Sequence, residues 1–239
     1  KKKEVLNIRE VINALAIHSV TRIVLVPSLL DEILNYDPLD LSRLEKLNLW
    51  SCSGEELKYP LVSKFYETFQ SSTKRLLNIY GSTEVTADAT YFDTYEDYNL
   101  YKTSPQPSHK SSSGLTNTFP SPSGRTEIKL PIGIPIDNVK TYILDEHLKP
   151  VPYNSLGEIC VSGACLSSGY INYSAPQSPF IEHPFIPGEK LYKTGDYGKL
   201  TPNGQIIYWG RKDSQVKING CRIELGEIEY ALSQIEGVK

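Results

Sequence analysis

Three short runs, "RIVLV" (22–26), "KLNLW" (46–50) and "RLLNI" (75–79), are largely apolar and are separated by stretches of helical periodicity. A strand that is apolar on both faces must be covered on both, and a parallel neighbour needs a crossover long enough to hold a helix. Residues 1–92 therefore predict an α/β unit, a largely parallel sheet with covering helices. Ile8, Val11, Ile12 and Leu15 share one helix face, and "SLLDEIL" and "YPLVSKFYETF" read as crossover helices. In such sheets ligands sit beyond the carboxyl ends of strands. "SCSGEEL" follows the second run and "YGSTE" the third, so both occupy that place.

The pattern then changes three times. Residues 93–127 are rich in serine, threonine, proline and glycine, and they predict a flexible insertion that buries too little apolar surface to offset its ordering entropy. From 128 to 212 the apolar runs are short and punctuated by turn residues, as in "TYILD", "GEICVSG" and "QIIYW", which predicts an antiparallel, β-barrel-like subdomain. Asn203-Gly204 within "LTPNGQIIYW" is a tight-hairpin signal. After "GRKD" a second hairpin signal, "QVKINGCRI", precedes a helix face of Leu225, Ile228, Leu232 and Ile235. Residues 213–239 are thus expected to hold a joint at Asp213 and the start of a small C-terminal α+β domain.

Composition narrows the function. A net charge of -3 offers no broad field for nucleic acid or an anionic membrane, and neither is expected as a partner. No apolar run reaches the length of a membrane span, and "KKKEVLNIRE" lacks the apolar centre of a signal peptide, so a soluble cytoplasmic chain is expected. The four cysteines and four histidines are scattered without metal-ligand spacing, which argues for core thiols over a zinc site. There is no methionine, which suggests a piece of a longer polypeptide.

Four polar, glycine-bearing clusters lie at predicted strand ends: "SCSGEEL", "NIYGSTE", "YKTGD" and "GRKD". Singly, each reads equally as a helix start, a turn or a surface ion pair. A turn, however, uses only the glycine and one hydroxyl of "YGSTEVTAD", leaving Glu84 and Asp88 without a purpose.

In their joint order these segments resemble the adenylate-forming enzymes, which include acyl-CoA synthetases, the adenylation domains of nonribosomal peptide synthetases, and luciferase. "YGSTE" (80–84) resembles a motif of that family, "GEICVSGACLSSGYIN" its glycine-rich segment, and "LYKTGDYGKLTPNGQIIYWGRKDSQVKINGCRIELGEIE" its pattern almost continuously. "LNIYGSTEV", followed by an acid and "TYFD", is most similar to beta-alanine-activating enzymes, themselves acyl-CoA synthetase family members. Peptide synthetase adenylation domains are nearly as similar.

The resemblance implies ATP-dependent adenylation of a carboxylate and transfer of the acyl group to a thiol, either coenzyme A or the phosphopantetheine of a carrier domain. It implies that Glu84 holds Mg²⁺, a hard cation suited to carboxylate and phosphate oxygens. Thr83 acts with Glu84 as a catalytic residue, Thr83 and Ser82 donating to the α-phosphate. Asp196 takes the ribose hydroxyls and Arg211 approaches the ribose and phosphates. Asn78 with Ser53, Gly54 and Glu55 meets the adenine edge, Tyr80 stacks on the base beside Gly81, and Asp213 is the hinge.

In amino-acid-activating relatives the pocket positions correspond to Ser51, Ser53, Ile79, Ala87 and Asp88. Asp88 has two readings: it pairs with a substrate ammonium, or it caps a turn. The family's upstream phosphate loop and downstream catalytic lysine have no match here, so this chain alone is expected to be inactive. A noncatalytic nucleotide-binding or scaffolding segment is the alternative reading.

Overall fold

The computed structural model describes residues 7–71, 73–103, 118–120, 126–171, 178–211, 215–218 and 221–235. Asp213 and the Asn219-Gly220 turn lie outside the described residues. The chain forms two compact units, one from Lys1–Ile79 with Phe92–Leu130, the other from Tyr80–Tyr91 with Pro131–Lys239.

In the first unit α1 (Ile8–Ile17) is capped by Asn7, whose side chain accepts from the Arg9 N–H. Next come β1 (Arg22–Leu25), α2 (Pro27–Leu34), α3 (Pro38–Ser42), β2 (Leu49–Cys52), α4 (Tyr59–Phe69) and β3 (Arg75–Tyr80). The strands β1, β2 and β3 are parallel, with Arg22 opposite Leu49 and Leu49 opposite Arg75. Leu30, Ile33, Trp50, Phe65 and Leu76 are fully buried between this sheet and its helices. Each such side chain contributes about 1.5–3 kcal/mol by leaving water.

Two expectations are corrected here. The strands are not apolar and covered on both faces throughout: on β1, the edge of the parallel set, Val24 is 66% exposed. In addition, residues 94–103 belong to a helix rather than to a flexible insertion. The chain comes back to the first unit through β4 (Thr90–Asp93) and continues as α5 (Thr94–Thr103). Asp93 Oδ1 accepts from the Tyr95 N–H at the start of α5, and Tyr98 stacks on Tyr66 in the core. Two tyrosines at helical spacing anchor a segment whose composition otherwise reads as loop. Beyond it, β5 (Thr118–Pro120) pairs with β6 (Thr126–Ile128), and the rest of 104–125 lies outside the described residues.

The strands of the second unit pair antiparallel, as the short, turn-punctuated apolar runs predict. It contains β7 (Pro131–Pro135), β8 (Val139–Leu144), β9 (Gly157–Gly163), β10 (Phe180–Glu182), β11 (Lys190–Leu200) and β12 (Ile206–Arg211). The order runs β7-β12-β11-β9-β8, with β10 beside β11. The predicted hairpin joins β11 to β12, with Gly204 at φ +82. Ile132, Ile143, Ile159 and Ile206 pack around Tyr80. The pairing of β11 with β9 breaks between Lys193 and Tyr197, so residues 194–196 stand in a bulge. Near the C-terminus β13 (Val216–Ile218) pairs with β14 (Cys221–Ile223), followed by α6 (Leu225–Ser233).

Candidate active site

The loop after β3 is built by crowding. A Cβ on Gly81 would stand 1.9 Å from the Ala87 carbonyl oxygen, so only glycine admits this close return of the chain. Ala89 N–H donates to Tyr80 O at 2.8 Å, and the N–H groups of Val85 and Ala87 both donate to Ser82 O. A single 3-10 turn, Thr83–Val85, occupies the arch. Thr86 and Ala87 follow it in the left-handed region at φ 54 and φ 80. Such residues cost about 1–3 kcal/mol each and persist only where their surroundings hold them. Thr86 Oγ1 donates to Cys165 O at 2.7 Å and Ser167 N–H donates to Glu84 O at 2.9 Å, which ties the arch to the segment after β9.

This arch sets the environment of each side chain. Thr83 and Ala87 are exposed and Asp88 is half-buried. Glu84 is buried, and Tyr170 donates its hydroxyl to Oε1 at 2.5 Å. Ser82 Oγ is buried without a hydrogen-bond partner among the described residues. Burial raises the Asp88 pKa above its ordinary 3.8, and no group among the described residues pairs with it. The turn-capping reading of Asp88 thus has no counterpart among its described contacts.

A second group assembles around Asp196. The Tyr80 hydroxyl donates to Asp196 Oδ2 at 2.6 Å, and Arg211 Nη1 donates to Oδ1 at 2.9 Å and to Thr194 O at 3.1 Å. Burial, then the charge of Asp196, raises the Tyr80 pKa well above 10.0, so the phenol keeps its proton and stays a donor. The ion pair is nearly buried, with side chains 12% and 9% exposed; removing one partner of such a pair costs about 3–5 kcal/mol.

Two sequence expectations change. Tyr80 does not present a flat face, because its ring is enclosed by the isoleucine cluster and tilted against Tyr208. Asp196 already has a partner on each oxygen, which leaves only its remaining lone pairs for hydroxyl donors.

The other named residues lie in the first unit. Ser51 and Asn78 are buried on β2 and β3, Ile79 is half-buried, and Ser53 donates its N–H to Leu25 O. Gly54 has φ +87. Glu55, expected at the adenine edge, accepts from Ser28 N–H at 3.1 Å and from Ser28 Oγ at 3.2 Å. It thereby serves the start of α2, whose own N-cap residue, Val26, has no side chain able to do so.

Sequence reasoning passed over Tyr170, Tyr208, Thr194 and Glu158. Nothing local marks them: each gains its role from a partner at least 35 residues away, Tyr170 through Glu84 and Thr194 through Ile159 O, or from the bulge.

As for a metal, no group of three or more His, Cys, Asp or Glu side chains gathers among the described residues. Mg²⁺ bound chiefly through substrate phosphates requires only one or two carboxylates, and the buried Glu84 beside the unpartnered Ser82 hydroxyl fits that need. Among the described residues, no helix is long and apolar enough to cross a membrane.

The model of the AMP-binding enzyme family matches residues 1–171. The chain is 38% identical over 228 residues to the Beta-alanyl-bioamine nonribosomal peptide synthetase ebony of Drosophila melanogaster, covering 91% of this chain and 23% of that protein. It is 39% identical over 221 residues to Tyrocidine synthase 3 of Brevibacillus parabrevis, covering 92% of this chain and 3% of that protein. Among solved structures, PA1221, an NRPS protein containing adenylation and PCP domains, superposes with a TM-score of 0.76 at 25% identity, over 99% of this chain and 42% of that one. The chain therefore spans less than half the length of the proteins it matches.

Proposed function

The chain belongs to the AMP-binding enzyme family, and from that membership we propose that it forms the central part of an ATP-dependent enzyme that adenylates a carboxylate and passes it to a thiol. One observation carries the reading. Tyr80 of "YGSTE" and Asp196 of "YKTGD", 116 residues apart, meet at 2.6 Å. The two motifs thus converge, with Glu84 on the same arch.

Adenylation joins a carboxylate to the α-phosphate of ATP and expels pyrophosphate, so two anions must be brought together. That demands positioning and charge neutralisation above all. Asp196 accepts from the ribose hydroxyls, held in direction by Tyr80 and Arg211. Ser82 and Thr83 donate to the α-phosphate, and Glu84 would hold Mg²⁺, which when bound neutralises phosphate charge. Roles for Ser51, Ser53, Gly54, Asn78 and Ile79 at the adenine and the substrate are proposed from the motifs alone.

The substrate proposed is an amino acid of the beta-alanine type, its ammonium facing Asp88. The half-buried carboxyl of Asp88, unpaired among the described residues, supports this, as does the name of the Drosophila relative. The acceptor proposed is the phosphopantetheine of a carrier domain, in keeping with the PCP domain of PA1221. Substrate-dependent pyrophosphate exchange by the intact polypeptide, over a panel of amino and carboxylic acids, tests the reading. Asp196→Asn is expected to weaken ATP binding at least about tenfold, since a charge-assisted bond is worth about 1.5–3 kcal/mol. Unchanged ATP binding would remove the proposal.

A further inference from the structure

One acidic side chain beside the Asp196 network has no part in the roles above. Glu158, on β9, accepts from the Gly195 N–H through Oε1 at 3.1 Å, while its Oε2 pairs with Lys193 Nζ at 3.3 Å. Its side chain is only 15% exposed. Gly195 lies at φ +74 inside the bulge where β11 leaves its register with β9. A regular antiparallel ladder would satisfy that amide with backbone; in the bulge it cannot, and the Glu158 carboxylate takes the carbonyl's place.

The flanking residues are fixed separately. Thr194 Oγ1 donates to Ile159 O at 2.7 Å and accepts from the Asp196 N–H at 3.0 Å, and Arg211 donates to Thr194 O. Glycine is the residue with most backbone freedom, so its tether decides whether the bulge keeps one shape. Asp196 follows it directly and takes its direction from that shape.

We propose that Glu158 is a positioning residue for nucleotide binding: by holding the Gly195 N–H it fixes the bulge that aims the Asp196 carboxylate at the ribose. This rests on the reading of Asp196 as the ribose-binding carboxylate. Glutamine keeps a carbonyl acceptor of the same reach, so it preserves the tether; alanine removes it. Lys193 Nζ pairs with the other oxygen and serves as a control for loss of the ion pair.

The test is calorimetric titration of AMP and of 2′,3′-dideoxy-AMP into the intact polypeptide and its variants. Glu158→Ala is expected to weaken AMP binding about tenfold, Glu158→Gln and Lys193→Ala to stay within about twofold of wild type. For the dideoxy nucleotide, which offers Asp196 nothing to hold, the Glu158→Ala penalty should vanish. Equal losses for both nucleotides, or a lower Tm with AMP affinity intact, would overturn the positioning role. Asp196→Asn separates the two levels. If it leaves AMP affinity unchanged, the ribose reading fails and this inference with it. If it weakens AMP binding while Glu158→Ala does not, only the positioning role falls.

Discussion

At Gly81 the obstacle to any side chain is backbone, the Ala87 carbonyl oxygen at 1.9 Å, and backbone in a closed arch cannot move aside as a side-chain tip would. Gly81→Ala is therefore expected to cost upward of about 2 kcal/mol, read as a Tm lowered by roughly 4–8 °C, with adenylation lost even in the folded fraction. Asp88 gives a prediction of opposite sign. Its pKa is raised in the fold by burial. Its contribution to stability is complete below the ordinary 3.8 and is lost as pH rises through the raised value, so at neutral pH the ionised carboxylate is a burden. Asp88→Asn should accordingly raise Tm at pH 7, with the gain shrinking toward pH 3. The same substitution should raise KM for an amino-acid substrate far more than for ATP, and equal effects on the two would remove the ammonium-pairing role.

At the level of the element, α2 shows how a sequence motif is diverted. Its N-cap is Val26, which offers no oxygen, and the carboxylate of Glu55 reaches across 27 residues to the Ser28 N–H. Glu55→Ala should lower stability by about 1 kcal/mol while leaving the Kd for ATP unchanged; a weaker Kd without loss of Tm would return Glu55 to the adenine edge. A buried lysine does similar work in the turn that follows α3: Lys74 Nζ donates to Leu44 O at 2.8 Å and to Leu47 O at 2.7 Å. Elements whose cause is local were legible in the sequence, such as the crossover helices, the three apolar strands and the hairpin at Asn203-Gly204. α5 was not, because its stability comes from Tyr95 and Tyr98 packing against Tyr66, a tertiary cause absent from the serine- and proline-rich composition around it.

Across the whole molecule, the motifs of the site were legible and their mutual occupation was not. Glu84, Asp196 and Arg211 are picked out through the resemblance of their motifs to a family, whereas the pairing of Asp196 with Tyr80 depends on a ring packed into an isoleucine cluster from four other strands. The division into units was also hidden, since residues 80–91 sit in the second unit while the sequence on either side folds into the first. Because both ends of that segment are held by the first unit, the two units should unfold together. The chain's two tryptophans report on this: Trp50 is fully buried in the first unit, and Trp209 in the second lies under Lys199 Nζ at 4.0 Å. Urea melts of Trp50→Phe and Trp209→Phe followed by fluorescence should share one midpoint after correction for each substitution's own cost, and separate midpoints would show independent units.

The same interleaved path limits how such a chain can be recombined. A chimera made with one breakpoint between residues 80 and 130 draws at least one unit from two parents, and its mismatched side chains then meet inside a single core. Exchanges that respect both units need three cuts at once, at 79/80, 91/92 and 130/131, so that an entire lobe's share of the chain travels together.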